Sequence, residues 1–284
     1  MHIRTILTAA IFSIATAAFA AQGTFERTLS VGASPTVTVT TGSGNVHVRP
    51  GSDNQVHIIG HVHAGAGWFS GGSPESRIQQ IVDNPPIVQT GNDITIGEHH
   101  NGDLFRNISI DYDITLPKSS AISANSGSGD VDIQDAGSSL KAHSGSGNVR
   151  AHGIPGPATL GTGSGDIEFQ QTSPGDVKAE TGSGNITLHG ISGALKSSTG
   201  SGNIEVEGQP SSDWRLSTGS GNINLAVGSG ARFNLDADTG SGNINVQQPI
   251  TMQGSLNKHH INGVVNGGGS TIRANTGSGD IQIR

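Results

Sequence analysis

Four histidines in the first quarter of the chain carry the side chains best suited to bind a transition metal. His57, His61 and His63 occupy alternate positions of one apolar segment, and His47 lies on the segment before it. Alternate side chains of a strand share a face, and a hairpin centred near Ser52 pairs His47 with His57. Clustered imidazoles can bind zinc, copper or nickel. The alternative is a polar outer face that is rich in histidine, since no supporting carboxylate is evident.

Carboxylates at strand spacing raise the possibility of polysaccharide cleavage. Glu205 and Glu207 share a strand face about 7 Å apart, and Glu168 lies two repeats earlier. Such a pair can act as acid and base on a glycosidic bond. Solvated carboxylates on an outer face give the same pattern, and nothing predicts a cleft that would shift a pKa. We therefore expect no catalytic residue and a non-enzymatic protein.

A row of cations recurs three residues before a repeated turn. Its members are Lys141, Lys178, Lys196, Arg215 and Arg273. Evenly spaced cations on one face can bind an anionic polymer such as lipopolysaccharide or an acidic glycan. The alternative is ordinary charge protection of a sheet surface. Asp236 takes the same position in another repeat and is expected to interrupt the row.

These side chains are positioned by a repeat, Thr/Ser-Gly-Ser-Gly-Asn/Asp-Ile/Val, which starts at Thr41, Ser126, Ser144, Thr162, Thr181, Thr199, Thr218, Thr239 and Thr276. Most spacings from Ser126 onward are 18 or 19 residues. Apolar residues alternate before and after each turn, which predicts two short strands per period with one face buried. Such strands must stack on neighbouring coils to share a core. The predicted fold is all-β, a single-stranded β-solenoid (β-helix or β-roll) with about 18 to 19 residues per coil.

The spacing also predicts where the array begins and where it degenerates. The last two motifs are 37 residues apart, two periods, so one coil around Asn257 to Asn262 is expected to lack the motif. A weaker copy begins at Thr90, two periods before Ser126. We expect the regular array to begin near residue 90, with an outlying rung at Thr41.

Within the turns, glycine permits φ > 0 and has no Cβ, so identical turns can lie above one another. The Thr and Asn positions then form vertical ladders, with stacked Asn amides bonded along the axis. The predicted structural turn ladder comprises Asn148, Asn185, Asn203, Asn222 and Asn243. Calcium is an alternative ligand for such turns, but it requires several oxygen ligands, and Asp replaces Asn only at Asp130, Asp166 and Asp280. No cofactor is expected.

The N-terminal part is less regular. Val46 to Arg49 and Gln55 to His63 are predicted to form a hairpin. Ser73 is a predicted N-cap, with Pro74 at the first turn of a short helix that reaches about Val82. We expect this hairpin and helix to be an insertion or cap, because an open solenoid end is an exposed sheet edge. The predicted organisation is residues 21–122 for this part and 123–284 for the regular repeats, continuous as one domain.

Composition narrows the classes of function. The chain has 284 residues, 44 glycines, no cysteine and a net charge of −7. The acidic balance argues against nucleic-acid binding, and the lack of cysteine excludes disulfides and thiol catalysis. Residues 1–20 have the pattern of a signal peptide that ends in Ala18-Phe19-Ala20. No later segment is apolar enough to cross a membrane. We expect an exported protein of the periplasm, cell surface or extracellular space.

The motifs together resemble a known family. A signal peptide, an Ile-x-Ile-x-Tyr-x-Ile-x-Leu-Pro segment at 108–117 and recurrent Gly-Ser-Gly turns are similar to a large bacterial family of unknown function, whose members are provisionally described as adhesins. The resemblance implies a β-helical rod and no known catalytic residues.

The sequence thus favours a secreted, adhesin-like β-solenoid that binds a glycan or cell-envelope polymer. One alternative is a structural periplasmic envelope protein with no ligand of its own, and another is a polysaccharide-active enzyme. The sequence leaves the ligand, the oligomeric state and the hand of the coil open.

Overall fold

A computed structural model describes residues 21–65, 73–97, 102–252 and 257–284. Two β-sheets face each other, and most coils of the chain contribute one strand to each sheet. The predicted signal peptide, residues 1–20, lies outside the described residues. None of the helices in these ranges is long and apolar enough to cross a membrane.

The irregular N-terminal part contains seven strands and two short helices. Their bounds are β1 (Gln22–Ser30), β2 (Thr36–Thr41), β3 (Val46–Pro50), β4 (Gln55–Ala64), α1 (Pro74–Asp83), β5 (Ile87–Thr90), β6 (Asp93–Ile96), α2 (Gly102–Phe105) and β7 (Ile108–Leu116).

The regular part follows as twelve strands, β8 (Ala121–Ser126), β9 (Val131–Gln134), β10 (Ser139–Ser144), β11 (Val149–Ile154), β12 (Ala158–Thr162), β13 (Ile167–Gln171), β14 (Val177–Thr181), β15 (Ile186–Ser192), β16 (Leu195–Ser201), β17 (Ile204–Gln209), β18 (Trp214–Ser220) and β19 (Ile223–Val227). The C-terminal part adds β20 (Phe233–Ser241), β21 (Ile244–Val246), β22 (Ile250–Met252), β23 (His260–Val265), β24 (Ser270–Ser278) and β25 (Ile281–Ile283).

Strands of successive coils stack in parallel and in register. Sheet A has the order β1-β4-β7-β3-β9-β11-β13-β15-β17-β19-β25-β21, and sheet B has the order β22-β23-β20-β24-β18-β16-β14-β12-β10-β8-β2-β6-β5. Leu140 on β10 lies opposite Ala158 on β12, for example, and Ala158 lies opposite Val177 on β14. The predicted β-solenoid is confirmed.

The core is the space between the two sheets, filled by the inward residues of the stacked strands. On sheet A these residues form columns such as Val149, Ile167, Ile186, Ile204 and Ile223, all buried. In the regular coils, strands such as β13, β14 and β18 alternate between buried and more exposed positions, so each shows one face to this core and one to solvent. The outer faces are therefore free to carry function.

The N-terminal end differs from the prediction in its pairing. Helix α1 begins after an N-cap at Ser73, as expected, and Ser73 Oγ accepts a hydrogen bond from the backbone N–H of Ser76. However, β3 and β4 do not form a hairpin, because β7 lies between them. Strand β4 pairs antiparallel with β1 and β7, and β3 pairs in parallel with β7 and β9.

The Thr41 motif is likewise not an outlying rung. Strand β2 stacks directly on β8, so the coil that contains Thr41 adjoins the coil that contains Ser126. Strand β6, which begins within the weak motif at Thr90, pairs with the other edge of β2, and β5 pairs with β6 as the last strand at this end of sheet B. Strands β4 to β7 and helices α1 and α2 thus form an excursion at one end of the stack, and the chain resumes the stack at β8.

At the C-terminal end the chain order and the stacking order diverge. The final coil, β24 and β25, inserts between the coil of β18 and β19 and the coil of β20 and β21. The prediction of a degenerate coil around Asn257 to Asn262 is wrong. Strand β23 instead pairs antiparallel with β20 and β22, and it covers that edge of sheet B.

Candidate binding face

The repeated turns hold the rungs in register through buried hydroxyl groups. The Oγ1 of Thr162 donates to the carbonyl of Gly147 in the preceding rung at 2.7 Å and accepts from the backbone N–H of Gly165 at 3.2 Å. The donation to the neighbouring rung recurs at Thr41, Ser126, Ser144, Thr181, Thr199, Thr218, Thr239 and Thr276. Each of these hydroxyl groups donates to a backbone carbonyl of the neighbouring rung, so the turns satisfy backbone polar groups that lie away from solvent.

The Asn and Asp positions of the turns form a second column. Asn185 Oδ1 accepts a hydrogen bond from the backbone N–H of Asn203 at 2.9 Å, so the side-chain oxygen bonds the backbone of the next rung rather than its amide. The same bond runs through all five residues of the predicted ladder, Asn148, Asn185, Asn203, Asn222 and Asn243.

The aspartates of this column make the same bonds as the asparagines. Oδ1 of Asp130, Asp166 and Asp280 accepts a backbone N–H from the neighbouring rung. Partial burial raises the pKa of Asp130, but the Asn148 N–H and the Arg150 guanidinium outweigh it and hold that pKa below its ordinary value. These carboxylates therefore serve the stacking, and we propose no calcium site.

The glycines of the turn are required mainly because neighbouring rungs approach closely. A Cβ on Gly165 would lie 2.1 Å from the carbonyl oxygen of Gly147. Positive φ accounts for few of them: among the motif glycines, φ lies in the left-handed region only at Gly221, Gly242 and Gly279. We call the stacked Thr/Ser-Gly-Ser-Gly-Asn/Asp turns together the turn column. This column fixes the distance between neighbouring rungs, and with it the spacing of the outer side chains.

The predicted cations lie in one row on the outer face of sheet B. The register places Lys141, Thr159, Lys178, Lys196, Arg215 and Arg273 side by side on six successive strands. Because the last coil is inserted, Arg273 lies next to Arg215, and Asp236 lies beyond it. The expected interruption by Asp236 is therefore wrong, and Asp236 ends the row. Adjacent members are about 4.8 Å apart along the solenoid.

Carboxylates neutralise part of this cation row. Glu180 pairs with Lys178 at 2.7 Å and with Lys196 at 2.8 Å, and these hydrogen bonds hold the Glu180 pKa below its ordinary value. Arg273 pairs with Asp236 at 3.6 Å. Within the described residues, Lys141 and Arg215 have no ion pair, and both are exposed.

Two adjoining grooves follow the row. The larger has a volume of about 510 Å³, and its lining includes Lys141, Thr159, Lys178, Lys196 and Arg215. The second, of about 410 Å³, shares the first three of these residues and continues toward the turn column. Both are open clefts along a flat sheet, which suits an extended chain better than a compact molecule.

The predicted metal ligands are not brought together. Because β7 separates β3 from β4, His47 lies opposite Asp113 rather than His57. His57, His61 and His63 do share the outer face of β4, but each pairs with a different carboxylate, Glu26, Asp113 and Asp111 in that order, at 2.7 to 3.2 Å. Within the described residues no group of three such side chains has metal-ligand geometry. We therefore propose no metal site here.

The glutamates considered for catalysis lie on the outer face of sheet A. Glu168 and Glu205 flank Thr187 in register, and Glu207 follows on the same face. Glu168 lies 3.6 Å from His152, and Glu207 lies 3.1 Å from His189. These carboxylates are exposed to solvent on a flat surface, which is the arrangement of ion pairs on an outer face.

Two buried polar contacts were not predicted from the sequence, although the alternation before the turn does predict that Trp214 is buried. Gln171 is buried at the corner opposite the repeated turns, where its amide donates to the carbonyls of Gly156 and Gly175 and accepts from the Ser192 N–H. Trp214 is buried beneath the groove and donates to the Gly193 carbonyl at 3.0 Å. Gln171 lies outside the turn motif and the alternating apolar pattern, and the alternation predicts the burial of Trp214 but not the partner of its indole N–H.

The fold and the turn columns define a two-sheet β-solenoid with one cationic outer row. The chain belongs to the Toastrack family, DUF4097, whose model matches residues 72–284. The resemblance inferred from the turns and the 108–117 segment is thereby confirmed. No curated protein matches the chain.

Two solved structures resemble the chain at low identity. A candidate cell adhesion protein from Clostridium sporogenes is 14% identical with a TM-score of 0.25, over 92% of this chain and 99% of that one. A candidate adhesin from Bacteroides fragilis is 13% identical with a TM-score of 0.47, over 92% of this chain and 97% of that one. These similarities are too distant to transfer a function.

Proposed function

We propose that the protein is a non-enzymatic, adhesin-like scaffold that binds a linear anionic glycan or envelope polymer along sheet B. The observation that carries this proposal is the cation row, which presents five cations on six successive strands in register. A row of charges at fixed spacing complements a polymer with repeated anionic groups better than it complements a small ligand.

The groove geometry supports the same class of partner. The clefts run along the row, and most of their lining residues lie on strands of sheet B. Binding sites on rigid strands lose little conformational freedom when a ligand binds. The exposed cations Lys141 and Arg215 are available to a ligand without breaking an ion pair, and Lys178 and Lys196 share one carboxylate.

A matched pair of charge reversals tests this function. Arg215→Glu changes the cation row, whereas Arg49→Glu makes the same change of charge on the outer face of sheet A. Binding to immobilised alginate and dextran sulfate is measured, with neutral dextran as the blank. We expect Arg215→Glu to weaken binding about fivefold or more at low ionic strength, an effect that shrinks with salt, and Arg49→Glu to change it little.

Equal effects of the two reversals would reject sheet B as the binding face. Absence of binding by the unmodified protein would favour a structural envelope role without a ligand. Reducing-end release from these polymers, lost in Glu205→Gln, would overturn the non-enzymatic assignment.

Export is the second part of the proposal. The signal-peptide pattern of residues 1–20 supports cleavage after Ala20 and a location in the periplasm, at the cell surface or outside the cell. Fractionation of the producing cell, with detection of the processed chain, tests this. Surface or extracellular protein supports the adhesin-like role, whereas strictly soluble periplasmic protein contradicts it.

A further inference from the structure

The cation row is broken at one rung, and this break has a distinct shape. Thr159 on β12 lies between Lys141 on β10 and Lys178 on β14. The next outward position on β12 is Gly161, which lies between His143 and Glu180. Strand β12 therefore carries small outer side chains between two strands with long ones. The result is a depression one strand wide, across which β10 and β14 are about 10 Å apart.

Both grooves meet at this depression. Lys141, Thr159 and Lys178 line each of them. The imidazole of His143 lies close to Gly161. A Cβ at position 161 would be only 2.8 Å from His143 Nδ1. Any larger residue at 161 would displace this ring. His143 thus bounds the depression on the side of the turn column.

The polar groups that face the depression are available for a ligand. Within the described residues, the Thr159 hydroxyl and the His143 ring have no hydrogen-bond partner, and Lys141 has no ion pair. Lys178 donates to Glu180, but an ammonium group has three N–H donors. With Lys141, Lys178 and Glu180 charged, the depression has a net charge of about +1 when His143 is neutral, which complements a monoanion.

We propose that the Thr159 slot, formed by Lys141, His143, Thr159, Gly161 and Lys178, seats one monoanionic group of an acidic sugar. The two lysines approach this carboxylate or sulfate ester from opposite sides, and the Thr159 hydroxyl donates to it from below. The rest of the polymer then extends along Lys196, Arg215 and Arg273. This inference rests on the proposed function and adds that the gap in the row is a specificity element.

The slot and a simple charge row predict opposite effects of one substitution. Thr159→Lys completes the row and adds a positive charge, so it should strengthen binding if only charge matters. If the slot seats a sugar, the long side chain fills it and weakens binding. Ser123→Lys is the matched control, because Ser123 lies beside Lys141 in the same row on the other side and outside the slot.

The experiment measures the dissociation constants of a uronate oligosaccharide and a sulfated oligosaccharide for the unmodified protein, Thr159→Lys, Ser123→Lys and Thr159→Ala. We expect Thr159→Lys to bind at least about threefold more weakly and Ser123→Lys to bind equally or more tightly. Thr159→Ala, which removes only the hydroxyl, should lose about two- to tenfold. Comparison of the two oligosaccharides shows which anion the slot prefers.

Tighter binding by Thr159→Lys, matching Ser123→Lys, would overturn the slot while leaving the proposed function intact. Failure of the proposed function is separately visible, because Arg215→Glu would then bind as tightly as Arg49→Glu. Thermal unfolding of each variant verifies the fold. If Thr159→Lys fails to fold, unchanged affinity of Thr159→Ala would overturn the slot.

Discussion

The turn column and the outer face of sheet B belong to the same coils, but residue types are nearly constant in the turns and variable on the outer face. At the first turn position every motif has Thr or Ser, whereas the position three residues earlier contains Lys, Arg, Thr, Ser or Asp. The hydroxyl of Thr162 makes hydrogen bonds with two backbone groups. The hydroxyl of Thr159, on the same strand, faces outward and has no hydrogen-bond partner among the described residues. Positions that touch the next rung are constrained by stacking, and positions that face solvent are free to carry function.

The order in which the rungs stack at the C-terminal end gives the sharpest test of this comparison. Arg273 adjoins Arg215 in the cation row only if β24 stacks directly on β18. The chain has no native cysteine, so introduced pairs report on proximity. Ser217→Cys with Asn275→Cys should form a disulfide, since these residues are direct partners on β18 and β24. Ser217→Cys with Asp238→Cys, two rungs apart, should remain reduced, because about 10 Å exceeds the Cα separation of a disulfide. Oxidation of the second pair alone would show sequential stacking.

A glycine pair tests how tightly the turn column is packed. Gly127→Ala places a Cβ 2.2 Å from the carbonyl oxygen of Gly42, whereas Gly42→Ala has no atom within 4 Å of its Cβ. We expect the first to lower the free energy of unfolding by about 3 kcal/mol and the second by well under 1 kcal/mol. Chemical denaturation measures both. Similar losses would contradict close approach as the reason for these glycines.

A threonine pair compares column and face within one strand. Thr162→Val leaves a buried carbonyl and a buried N–H of the turn without a partner, and should cost about 1 to 3 kcal/mol of stability. Thr159→Val removes an outward hydroxyl and should leave stability nearly unchanged. Equal stability of the two variants in denaturant titrations would show that the turn hydroxyls do not hold the rungs.

The ion pairs of Glu180 should contribute little to stability. Its carboxylate pairs with Lys178 and Lys196, which lowers its pKa, so this contribution is present at neutral pH and is lost as the pH falls through the depressed pKa. Because these groups are partly exposed, Glu180→Gln should cost less than about 0.5 kcal/mol. It should also strengthen binding to a sulfated oligosaccharide at neutral pH, because both lysines are released. The difference from the unmodified protein should vanish only when the pH falls below the depressed pKa of Glu180. A difference that is already lost in the ordinary titration range of a glutamate would contradict the pairing.

The repeating features of the fold could be predicted from the sequence because they are local. The alternation around each turn specifies two strands and a buried face, and Ser73-Pro74 specifies the start of α1. Pairing partners that are distant in sequence carried no such signal. Strand β7 enters between β3 and β4 from about 50 residues away, and a spacing of 37 residues fits an inserted coil as well as a degenerate one.

The candidate site shows the same limit. The cations of the row were predictable from their position before each turn, since parallel stacking in register follows from the repeat. The separation of His47 from His57 was not, because it depends on β7. The slot at Thr159 could not be predicted either. In the sequence Thr159 is only a repeat without a cation, and the structure is needed to show that it lies in a depression between Lys141 and Lys178.

The most direct test of the cation row as the binding surface is lysine acetylation with and without a saturating uronate oligosaccharide, followed by mass spectrometry. Lys258, beyond the inserted coil and away from the grooves, is the internal reference. The account predicts slower acetylation of Lys141, Lys178 and Lys196 in the complex and an unchanged rate at Lys258. Unchanged rates at the three sheet B lysines, in a sample where binding is measured, would contradict it.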